Sequence, residues 1–430
     1  MKDRIDAAVA AVWRIESARI VAGIARIVRD VGLAEELAQD ALVAALETWG
    51  RDGIPERPGA WLTTIARNKA FDLLRRDRSL RDKLERIGLD LAAQEALSVP
   101  DFVDDLDARR HIVQDDLLRL MFSACHPLLS RDARLALTLK LLGGLSTAEI
   151  ARAFLVSEAT IAQRIVRAKR TLGEAKVAFA LPPPSELGER LGAVLEAVYL
   201  IFNEGYAASA GDDWMRPALA DEALRLGRIL AELAPHEPEV HGLAALMELQ
   251  ASRMRARVDV LGAPVLLPDQ DRTRWDGVLI RRGLAALARA AGLGAQGTAQ
   301  PGAYVLQAEI AACHARASRA ELTDWRRIAG LYAELAAVQP SPVVELNRAV
   351  AIGMAEGPAA GLALADRLAQ EGRLAGYHWL PSVRADLLLK LGRHGDARAE
   401  FERAAALTAN ARERALLMAR AHAAGRAGSA

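Results

Sequence analysis

Apolar residues recur at three- and four-residue spacing along almost the whole chain, which is the period of an amphipathic α-helix. The alternating pattern of a half-buried strand is nearly absent, and the one candidate strand covers residues 258–267. Alanine, leucine, arginine and glutamate dominate the composition, while aromatic residues make up only 4% of it. The pattern therefore predicts an all-α protein.

Two stretches interrupt the helical periodicity and divide the chain. The first contains Pro100 and many aspartates, and the second contains three successive prolines, which cannot continue a helix. A chain of 430 residues also exceeds the size that one core usually serves. The predicted organisation is a small helical domain at 1–86, an acidic linker at 87–111, a second small domain at 112–179, a proline-rich boundary at 180–190 and a larger helical domain at 191–430.

The net charge of +1 gives no indication of a partner, but the distribution of charge does. Residues 67–86 hold eight basic side chains against four acidic ones, and residues 152–176 hold six against two. The acidic linker lies between these two basic patches. Clustered lysine and arginine of this kind favour contact with nucleic-acid phosphates.

The N-terminus lacks the apolar core of a signal peptide, and no apolar run approaches the roughly 18 residues that a membrane helix needs. We therefore expect a soluble cytoplasmic protein without a membrane partner. The two cysteines, Cys125 and Cys313, are far apart in sequence, so disulfides are not expected. Cys125 and His126 have no second ligand pair at zinc spacing, and neither a metal nor another cofactor is predicted.

The stretch "LSTAEIARAFLVSEATIAQRIVRAKRTL", residues 145–172, predicts two short helices joined by a tight turn. Ser146 and Glu149 have the spacing of a capping box, and Ser157 can cap the second helix. Ile161, Ile165 and Ala168 fall on one face of that helix and are expected to pack on the first helix, against Ile150, Ala151 and Phe154. The opposite surface then presents Glu158, Thr160, Gln163, Arg164, Arg167 and Lys169.

This arrangement is typical of a DNA-binding helix-turn-helix, whose second helix enters the major groove. We predict that Glu158, Thr160 and Gln163 contact base edges. The basic side chains of Arg164, Arg167 and Lys169 are predicted to contact mainly the DNA backbone. A helix pair of this shape also occurs as plain scaffold, so the pattern alone leaves both interpretations open.

The first domain carries a more specific signature. "AEELAQDALVAALETW" (34–49), followed by "PERPGAWLTTIARNKAFDLLRR" (55–76), resembles region 2 of bacterial sigma factors of the extracytoplasmic-function type, in the sigma-70 family. The helix-turn-helix then corresponds to their region 4, and the resemblance covers about residues 10–175. It implies a non-enzymatic protein that binds core RNA polymerase at its clamp and flap regions. It also implies that this protein recognises the −10 and −35 elements of promoter DNA.

The resemblance also implies a polymerase contact on the first of these helices. An apolar stripe of Leu33, Leu37, Leu42, Val43 and Leu46 is expected to face inward. The residues expected outside, where a basic coiled coil of the polymerase clamp would bind, are Glu35, Glu36, Gln39, Asp40 and Glu47. For any one of these carboxylates, a solvated helix face is a sufficient explanation.

On the next helix an inner and an outer face are predicted. The inner face comprises Trp61, Leu62, Ile65, Ala66 and Leu73, and the outer face comprises Arg67, Asn68, Arg75 and Arg76. By resemblance, Asn68 and the loop 51–59 would capture an unstacked base of the −10 element while the arginines hold phosphates. The acidic linker would thread the RNA exit path of the polymerase, although its charge is equally explained by solvation.

The C-terminal half resembles the subgroup of these factors with a tetratricopeptide-type extension, on the evidence of "YLIFNEGYAAS" (199–209) and "LLPDQDRTRWD" (266–276). Within residues 380–410, Ala397, Phe401 and Ala404 have the small-aromatic-small spacing of the second helix of such a repeat. Residues 341–370 show the same rhythm one repeat earlier. Such arrays bind proteins or peptides in a concave surface, so a protein or peptide partner is expected. An unrelated helical domain is the alternative.

Two polar clusters in the C-terminal half form a candidate docking site. The first cluster comprises Tyr199, Asn203 and Glu204, and the second comprises Asp269, Gln270, Asp271, Arg272 and Trp275. The alternative is a hydrogen-bonded network that closes a junction between helices, since buried polar groups must be paired.

Two other functional classes remain open at the level of the sequence. A helix-turn-helix regulator with a helical-repeat sensor would bind duplex DNA without polymerase, but it leaves the pattern at 34–76 unexplained. An enzyme with a DNA-binding appendage would need a deep pocket with perturbed carboxylates around Glu204 and Asp269. No arrangement of nucleophile, base and oxyanion donor is visible, so catalysis is not predicted.

Overall fold

A computed structural model describes residues 2–85, 106–154, 156–208, 212–260, 262–295 and 300–427 of the chain. Across these residues it contains 18 α-helices and no β-strand, which confirms the all-α prediction. The chain forms two compact units, Met1–Ala197 and Val198–Ala430. Most of the predicted acidic linker lies outside the described residues.

Eight helices begin in the first unit, and the last of them continues into the second unit. They are α1 Lys2–Val28, α2 Val31–Asp52, α3 Pro58–Glu85, α4 Leu106–Ala124, α5 Arg131–Leu141, α6 Thr147–Phe154, α7 Glu158–Glu174 and α8 Pro184–Tyr206.

Helix α2 buries a different face from the one that the leucines predicted. Among the predicted stripe only Leu37 is buried, whereas Val43 and Leu46 are 52% and 43% exposed. The face that packs against α1 and α3 consists instead of Ala34, Leu37, Ala38, Ala41, Ala45 and Trp49. The prediction was wrong because small side chains, which allow helices to approach closely, outweigh the larger apolar area of leucine and valine here.

Helix α3 follows the predicted inner face more closely. Leu62 and Ala66 are fully buried, while Ile65 and Leu73 are half-buried. The ring of Trp61 packs edge-on against Trp49 of α2, with ring centroids 5.6 Å apart. This contact fixes α3 on α2 directly after the loop that joins them.

The predicted helix-turn-helix is confirmed, with α6 and α7 as its two helices. The Ser146 N–H donates to Glu149 Oε2 at 2.8 Å, and the Glu149 N–H donates to Ser146 Oγ at 3.1 Å, so the capping box is formed. Ser157 Oγ accepts from the Thr160 N–H at 3.1 Å and caps α7. The inner positions Ile150, Ala151, Ile161, Ile165 and Ala168 are buried, whereas Phe154 is half-buried.

Helix α8 begins at the third of the three successive prolines, Pro184, where a missing N–H is tolerated. Its first part bonds to the preceding helices of the first unit. Arg190 donates to the carbonyl of Phe122 at 3.1 Å, and Arg134 lies 3.1 Å from Glu196.

Ten further helices make up the rest of the described second unit. They are α9 Pro217–Leu233, α10 Pro238–Ala251, α11 Gly277–Ala295, α12 Ala303–Arg316, α13 Trp325–Val338, α14 Pro342–Ala355, α15 Pro358–Glu371, α16 Trp379–Lys390, α17 His394–Leu407 and α18 Ala411–Ala427.

The candidate strand at 258–267 is not formed. The segment between α10 and α11 contains short 3-10 turns and an isolated bridge that joins Val258 to Pro264. Gly262 has a φ of 76°, and the Ala263 N–H donates to the Asp259 side chain at 2.8 Å. A tight reversal thus replaces the extended run that the apolar residues suggested.

The last helices pack against their neighbours in sequence. Ala397, Phe401 and Ala404 of α17 are fully buried. Phe401 and Ala404 share a core with Ala385 of α16 and Leu417 of α18, whereas Ala397 packs in the neighbouring core of α14, α15 and α16. The small-aromatic-small spacing noted in the sequence therefore lies at the centre of this helical stack.

Helices α14 and α15 cross in close contact at two glycines. A Cβ built on Gly361 would lie 2.6 Å from the carbonyl oxygen of Ala349 and 2.7 Å from the Cα of Gly353. Both neighbours are backbone atoms, so a side chain here would force the helices apart.

We therefore expect Gly361→Ala to lower the free energy of unfolding by about 1–3 kcal/mol, the usual cost of overpacking. Gly330→Ala is the matched control, because Gly330 lies on the exposed side of α13 with open space around its Cα. It should be neutral or stabilising by about 0.5–1 kcal/mol. Urea denaturation followed by circular dichroism measures both, and equal effects would contradict the close crossing.

Candidate nucleic-acid and protein-binding surfaces

The outward surface of α7 presents side chains of the types predicted to contact DNA. Glu158, Gln163 and Arg167 are exposed, while Thr160 and Arg164 are half-buried. These side chains lie opposite the buried face described above. In the first two turns of α7, Glu158, Thr160 and Gln163 therefore offer hydrogen-bonding groups. The basic side chain of Arg167 follows one turn later.

Two of these side chains already have partners within the first unit. The Thr160 hydroxyl lies 2.8 Å from that of Ser157, and Arg164 Nη2 lies 2.9 Å from Asp132 Oδ2 in the first turn of α5. Arg164 is therefore directed towards the start of α5.

Lys169 is not directed to solvent. Its ammonium group forms a hydrogen-bonded ion pair with Glu35 of α2, and Lys140 Nζ of α5 lies 3.8 Å from the same carboxylate. The Glu35 side chain is only 5% exposed. The expectation that Glu35 lies on the outer face of α2 was therefore wrong, because two lysines from the second helical block compensate its charge and allow its burial.

The remaining acidic positions of α2 do lie outside. Glu36, Asp40 and Glu47 are exposed, and Gln39 is half-buried and donates to Glu35. Glu36, Asp40, Val43 and Glu47 follow the i, i+4, i+7, i+11 spacing of one helical stripe. An exposed valine thus lies within the acidic stripe, which is a suitable surface for a partner that brings both basic and apolar groups.

On α3, Asn68, Arg75 and Arg76 are exposed as predicted. Arg75 Nη1 lies 3.6 Å from Asp72, and the half-buried Arg67 lies over the ring of Phe71 at 5.9 Å. The structure thus brings an amide and arginines together on the outer side of α3.

The loop before α3 begins at a glycine with a positive φ angle. Gly53 has a φ of 86°, a region that favours glycine, and it ends α2. The Arg51 guanidinium hydrogen-bonds the Asp52 carboxylate at 2.9 Å and holds the pKa of that carboxyl below its usual range.

In the second unit, the first polar cluster is engaged in internal contacts. Tyr199 packs edge-on against Tyr304 and donates to Gln307 Oε1 at 3.4 Å. Burial raises the pKa of Tyr199, although a hydrogen bond with Asn203 opposes this shift. Glu204 forms an ion pair with Arg216 at the start of α9.

The second cluster connects the loop before α11 to the end of α12. Arg272 donates to the carbonyls of His314 and Ala317, each at 2.6 Å, and to Thr323 Oγ1 at 3.2 Å. Gln270 is buried and donates to the Val265 carbonyl at 3.1 Å.

Other residues of this loop form local contacts or are exposed. The Asp271 carboxylate accepts from the N–H and hydroxyl of Thr273, and these bonds lower the pKa of Asp271. Trp275 is 7% exposed, whereas the neighbouring Asp269 is exposed. For most of this cluster, the contacts support the alternative interpretation of a hydrogen-bonded network that closes a junction between helices.

Two arginines that the sequence did not single out contact Tyr206 at the end of α8, and one of them also contacts Trp275. The guanidinium carbon of Arg253 lies 5.8 Å from the ring centroids of both Tyr206 and Trp275. Arg257 is buried, lies 3.7 Å from the Tyr206 ring and donates to the Tyr206 carbonyl. The available signal was an unusual density of arginine immediately after the apolar helix α10.

The enzyme hypothesis required a carboxylate-lined pocket. A cavity of about 510 Å³ beside Trp275 is lined by Arg255, Thr273, Arg274 and Asp276, and neither Glu204 nor Asp269 belongs to this lining. In the described part of the chain, no group of three or more histidine, cysteine or acidic side chains could hold a metal ion. None of the described helices is long and apolar enough to cross a membrane.

Comparison with family models matches three separate stretches of the chain. Residues 15–80 match the model of sigma-70 region 2, and residues 119–172 match that of sigma-70 region 4. Residues 190–291 match a family of unknown function (DUF6596). No solved structure matches the chain.

Two kinds of relative match the chain over different lengths. An uncharacterized protein of Rhizobium meliloti, R00370, is 45% identical over 393 residues, which cover 91% of this chain and 90% of the relative. An ECF RNA polymerase sigma factor SigK of Mycobacterium ulcerans is 30% identical over 161 residues, which cover 36% of this chain and 78% of the relative. A SigK of Mycobacterium sp. strain KMS is 28% identical over 159 residues, with 37% and 77% covered.

The arginine-rich loop of the second unit makes a testable prediction about pH. Burial, together with the cations of Arg253 and Arg272, lowers the pKa of His314 to about 3, and its ring packs edge-on against Trp325. Because the folded pKa lies below the unfolded value of about 6.5, the stabilisation is complete above pH 6.5 and decreases as the pH falls towards 3.

We expect His314→Phe to keep the ring contact but remove the protonation. Between pH 7.5 and 5.0 the variant should therefore lose about 1–2 kcal/mol less unfolding free energy than the unmodified chain. Urea denaturation followed by tryptophan fluorescence measures this difference. His422→Phe, at an exposed position of α18, is the control, and identical pH dependence in all three proteins would contradict the prediction.

Proposed function

This chain belongs to the extracytoplasmic-function group of sigma-70 family RNA polymerase sigma factors. On that basis we propose which of its surfaces bind promoter DNA and which bind core RNA polymerase. The protein is a sigma factor and not an enzyme by family. Its partners are core RNA polymerase and promoter DNA. Both are found in the bacterial cytoplasm, which is where this function would be carried out.

In our proposal α7 recognises the −35 element in the major groove. The observation that carries this assignment is the opposition of two faces: Ile161 and Ile165 are buried, while Gln163 and Arg167 are exposed. A glutamate can accept from cytosine N4, and a glutamine can pair with adenine through two bonds. Glu158, Thr160 and Gln163 would therefore contact bases, and Arg164 and Arg167 would contact phosphates.

The outer side of α3 would engage the −10 element. Asn68 supplies an amide donor and acceptor beside the loop 51–59, and a flipped base needs such hydrogen bonds to offset its lost stacking. Arg67, Arg75 and Arg76 would hold the neighbouring phosphates.

The acidic stripe of α2 would bind the basic coiled coil of the polymerase clamp. Glu36, Asp40 and Glu47 provide charge complementarity, and the 52% exposed Val43 provides apolar area that a partner helix can cover. Gln39 and Glu35 border this stripe on the side towards α7. The second helical block would contact the flap region.

We assign the second unit to a protein or peptide partner. The cavity beside Trp275 supports a docking site there, because the buried indole N–H of Trp275 has no hydrogen-bond acceptor among the described residues. Asp269 and Asp271 are exposed at the same loop, whereas Gln270 and Arg272 support it from within. Tyr199, Asn203 and Glu204 would fix the helix on which this site depends.

Transcription in vitro tests the sigma-factor role. Purified core polymerase and the full chain transcribe fragmented genomic DNA of the source bacterium, and the transcript 5′ ends are sequenced. We expect defined start sites that need this chain and share two upstream elements. Binding to duplex DNA without any polymerase-dependent transcript would instead support the helix-turn-helix regulator.

The same assay tests the second unit. A chain that ends after Tyr206 keeps Arg190 and Glu196, which bond to helices of the first unit. Unchanged transcription by this shorter chain, with and without extract from the source bacterium, would contradict a role for the second unit.

Once a promoter is known, α7 makes a sharper prediction. Gln163→Ala should cost about 1–3 kcal/mol of holoenzyme binding and relax the base preference at one −35 position. Arg167→Ala should weaken binding to every promoter and reduce the logarithmic salt slope by about 1. Filter binding across a salt series measures both.

Arg398→Ala is the control for the loss of charge, because Arg398 is an exposed arginine of α17 paired with Glu402. It should leave affinity and salt slope unchanged. If Gln163→Ala altered no base preference, α7 would not be the helix that contacts bases.

A further inference from the structure

The cavity beside Trp275 in the second unit is lined mainly by groups that donate hydrogen bonds. Its lining consists of Arg255, Thr273, Arg274, Trp275 and Asp276, and its volume is about 510 Å³. We call this site the arginine pocket. A guanidinium group has several N–H donors in a fixed fork that matches a carboxylate, and two such groups line this pocket.

The two guanidinium groups of the arginine pocket have no carboxylate partner among the described residues. That of Arg255 has neither a hydrogen bond nor an ion pair there, and the side chain is exposed. That of Arg274 donates to the neutral carbonyl of Val258 at 3.3 Å. An incoming carboxylate can therefore bind either arginine without breaking an internal ion pair.

The acidic side chains of the same segment accept hydrogen bonds within its own turns. Asp259 accepts from the Ala263 N–H at 2.8 Å, and Asp271 accepts from the N–H and hydroxyl of Thr273 at 2.9 and 2.6 Å. Asp276 accepts from two backbone N–H groups in the first turn of α11, at 2.8 and 3.2 Å. These carboxylates stabilise the loop and do not pair with the arginines of the pocket.

The wall formed by Trp275 adds a donor that has no acceptor. Trp275 is 7% exposed, and its buried indole N–H has no hydrogen-bond partner in the described part of the chain. Buried donors of this kind are rare in folded proteins. The guanidinium carbons of Arg272 and Arg253 lie 4.8 and 5.8 Å from the Trp275 ring centroid, so their charges also favour an anion beside this wall.

The shape and surroundings of the arginine pocket favour a peptide over duplex DNA. A duplex presents phosphates at close intervals along a convex surface, and it is bound by an extended array of cations. Here two exposed cations line a concave site whose volume suits a few side chains. Apolar side chains lie two residues from Val258 and from Asp276 in sequence: Val260 is 97% exposed and Val278 is 49% exposed. A ligand with both acidic and apolar side chains complements these groups.

We propose that the arginine pocket binds an acidic peptide segment of a protein partner, with its carboxylates on Arg255 and Arg274 and a further acceptor at the Trp275 wall. This inference rests on the proposed function, which assigns the second unit to a protein or peptide partner. It adds the chemistry by which the partner is recognised. Carboxylate–guanidinium bonds are charge-assisted, so the affinity should decrease as the salt concentration rises.

Indole N–H signals in the NMR spectrum of the full chain, labelled with ¹⁵N-tryptophan, test this site. The probe is hexaglutamate with blocked termini, in which every spacing between carboxylates is available. The chain has seven tryptophans, and the Trp275 signal is assigned from its loss in Trp275→Phe. We expect a saturable shift of this signal. Trp49 is the internal control, because its buried indole N–H also has no acceptor among the described residues but belongs to the first unit.

Charge-removing variants locate the carboxylates. Arg255→Gln and Arg274→Gln should each weaken hexaglutamate binding about tenfold, because each removes a charge-assisted bond. Arg289→Gln is the matched control, since Arg289 is an exposed arginine of α11 that does not line the pocket. It should leave the affinity unchanged. Circular dichroism verifies that the three variants fold.

Three results would overturn the proposal. The first is the absence of a saturable Trp275 shift with hexaglutamate. The second is equal weakening by Arg255→Gln and Arg289→Gln, which would indicate general attraction to a basic surface. The third is a Trp275 shift with a short DNA duplex and none with hexaglutamate, which would assign the pocket to nucleic-acid phosphates.

Failure of the proposed function gives a different result. If the second unit has no partner role, the chain that ends after Tyr206 transcribes as well as the full chain, whatever hexaglutamate does. If the partner role is right but the partner is not acidic, the shorter chain differs in transcription and the Trp275 signal does not respond to hexaglutamate.

Discussion

The described structure depends on arginines that satisfy the carbonyl groups at the ends of helices. The last turn of every helix leaves carbonyls without intrahelical partners, and these carry the negative end of the helix dipole. Long-range arginine donors reach such carbonyls at three helix ends: Arg190 to Phe122 of α4, Arg257 to Tyr206 of α8, and Arg272 to His314 and Ala317 at the end of α12. A guanidinium has several donors in a fixed fork, so one side chain can close a helix end and hold a distant segment against it. Aromatic residues make up only 4% of this chain. The arginine bonds therefore help to determine which segments pack together, a role that large core side chains have in other proteins.

Local features of the structure could be predicted because their physical causes are local. The capping box of Ser146 and Glu149 and the cap of Ser157 need only residues three positions apart. The burial of Ile161 and Ile165 follows from helical periodicity, as does the burial of Phe401 between small residues. These elements include the predicted DNA-facing surface of α7, which is why most of its residues lie where the sequence indicated.

The errors concern positions whose neighbours come from elsewhere in the chain. The sequence favoured the leucines of α2 for burial, but the close approach of α1 selects alanines such as Ala38 and Ala41 instead. Glu35 is buried because Lys169 and Lys140 approach it. The residue pattern within α2 does not indicate a contact with a lysine 134 positions away in sequence. Arg253 and Arg257 were missed for the same reason, since their aromatic partners belong to other segments.

A buried ion pair contributes little net stability but restricts which segments can meet. Replacing such a pair by apolar side chains is often neutral or stabilising, so the net stabilisation by Glu35 and Lys169 need not be large. Removing only one partner is far more costly, because it leaves a buried charge without compensation. The carboxylate of Glu35 is only 5% exposed, so α2 can pack in this way only where Lys169 of α7 and Lys140 of α5 approach it. The pair therefore contributes more to the specificity of this packing than to its free energy.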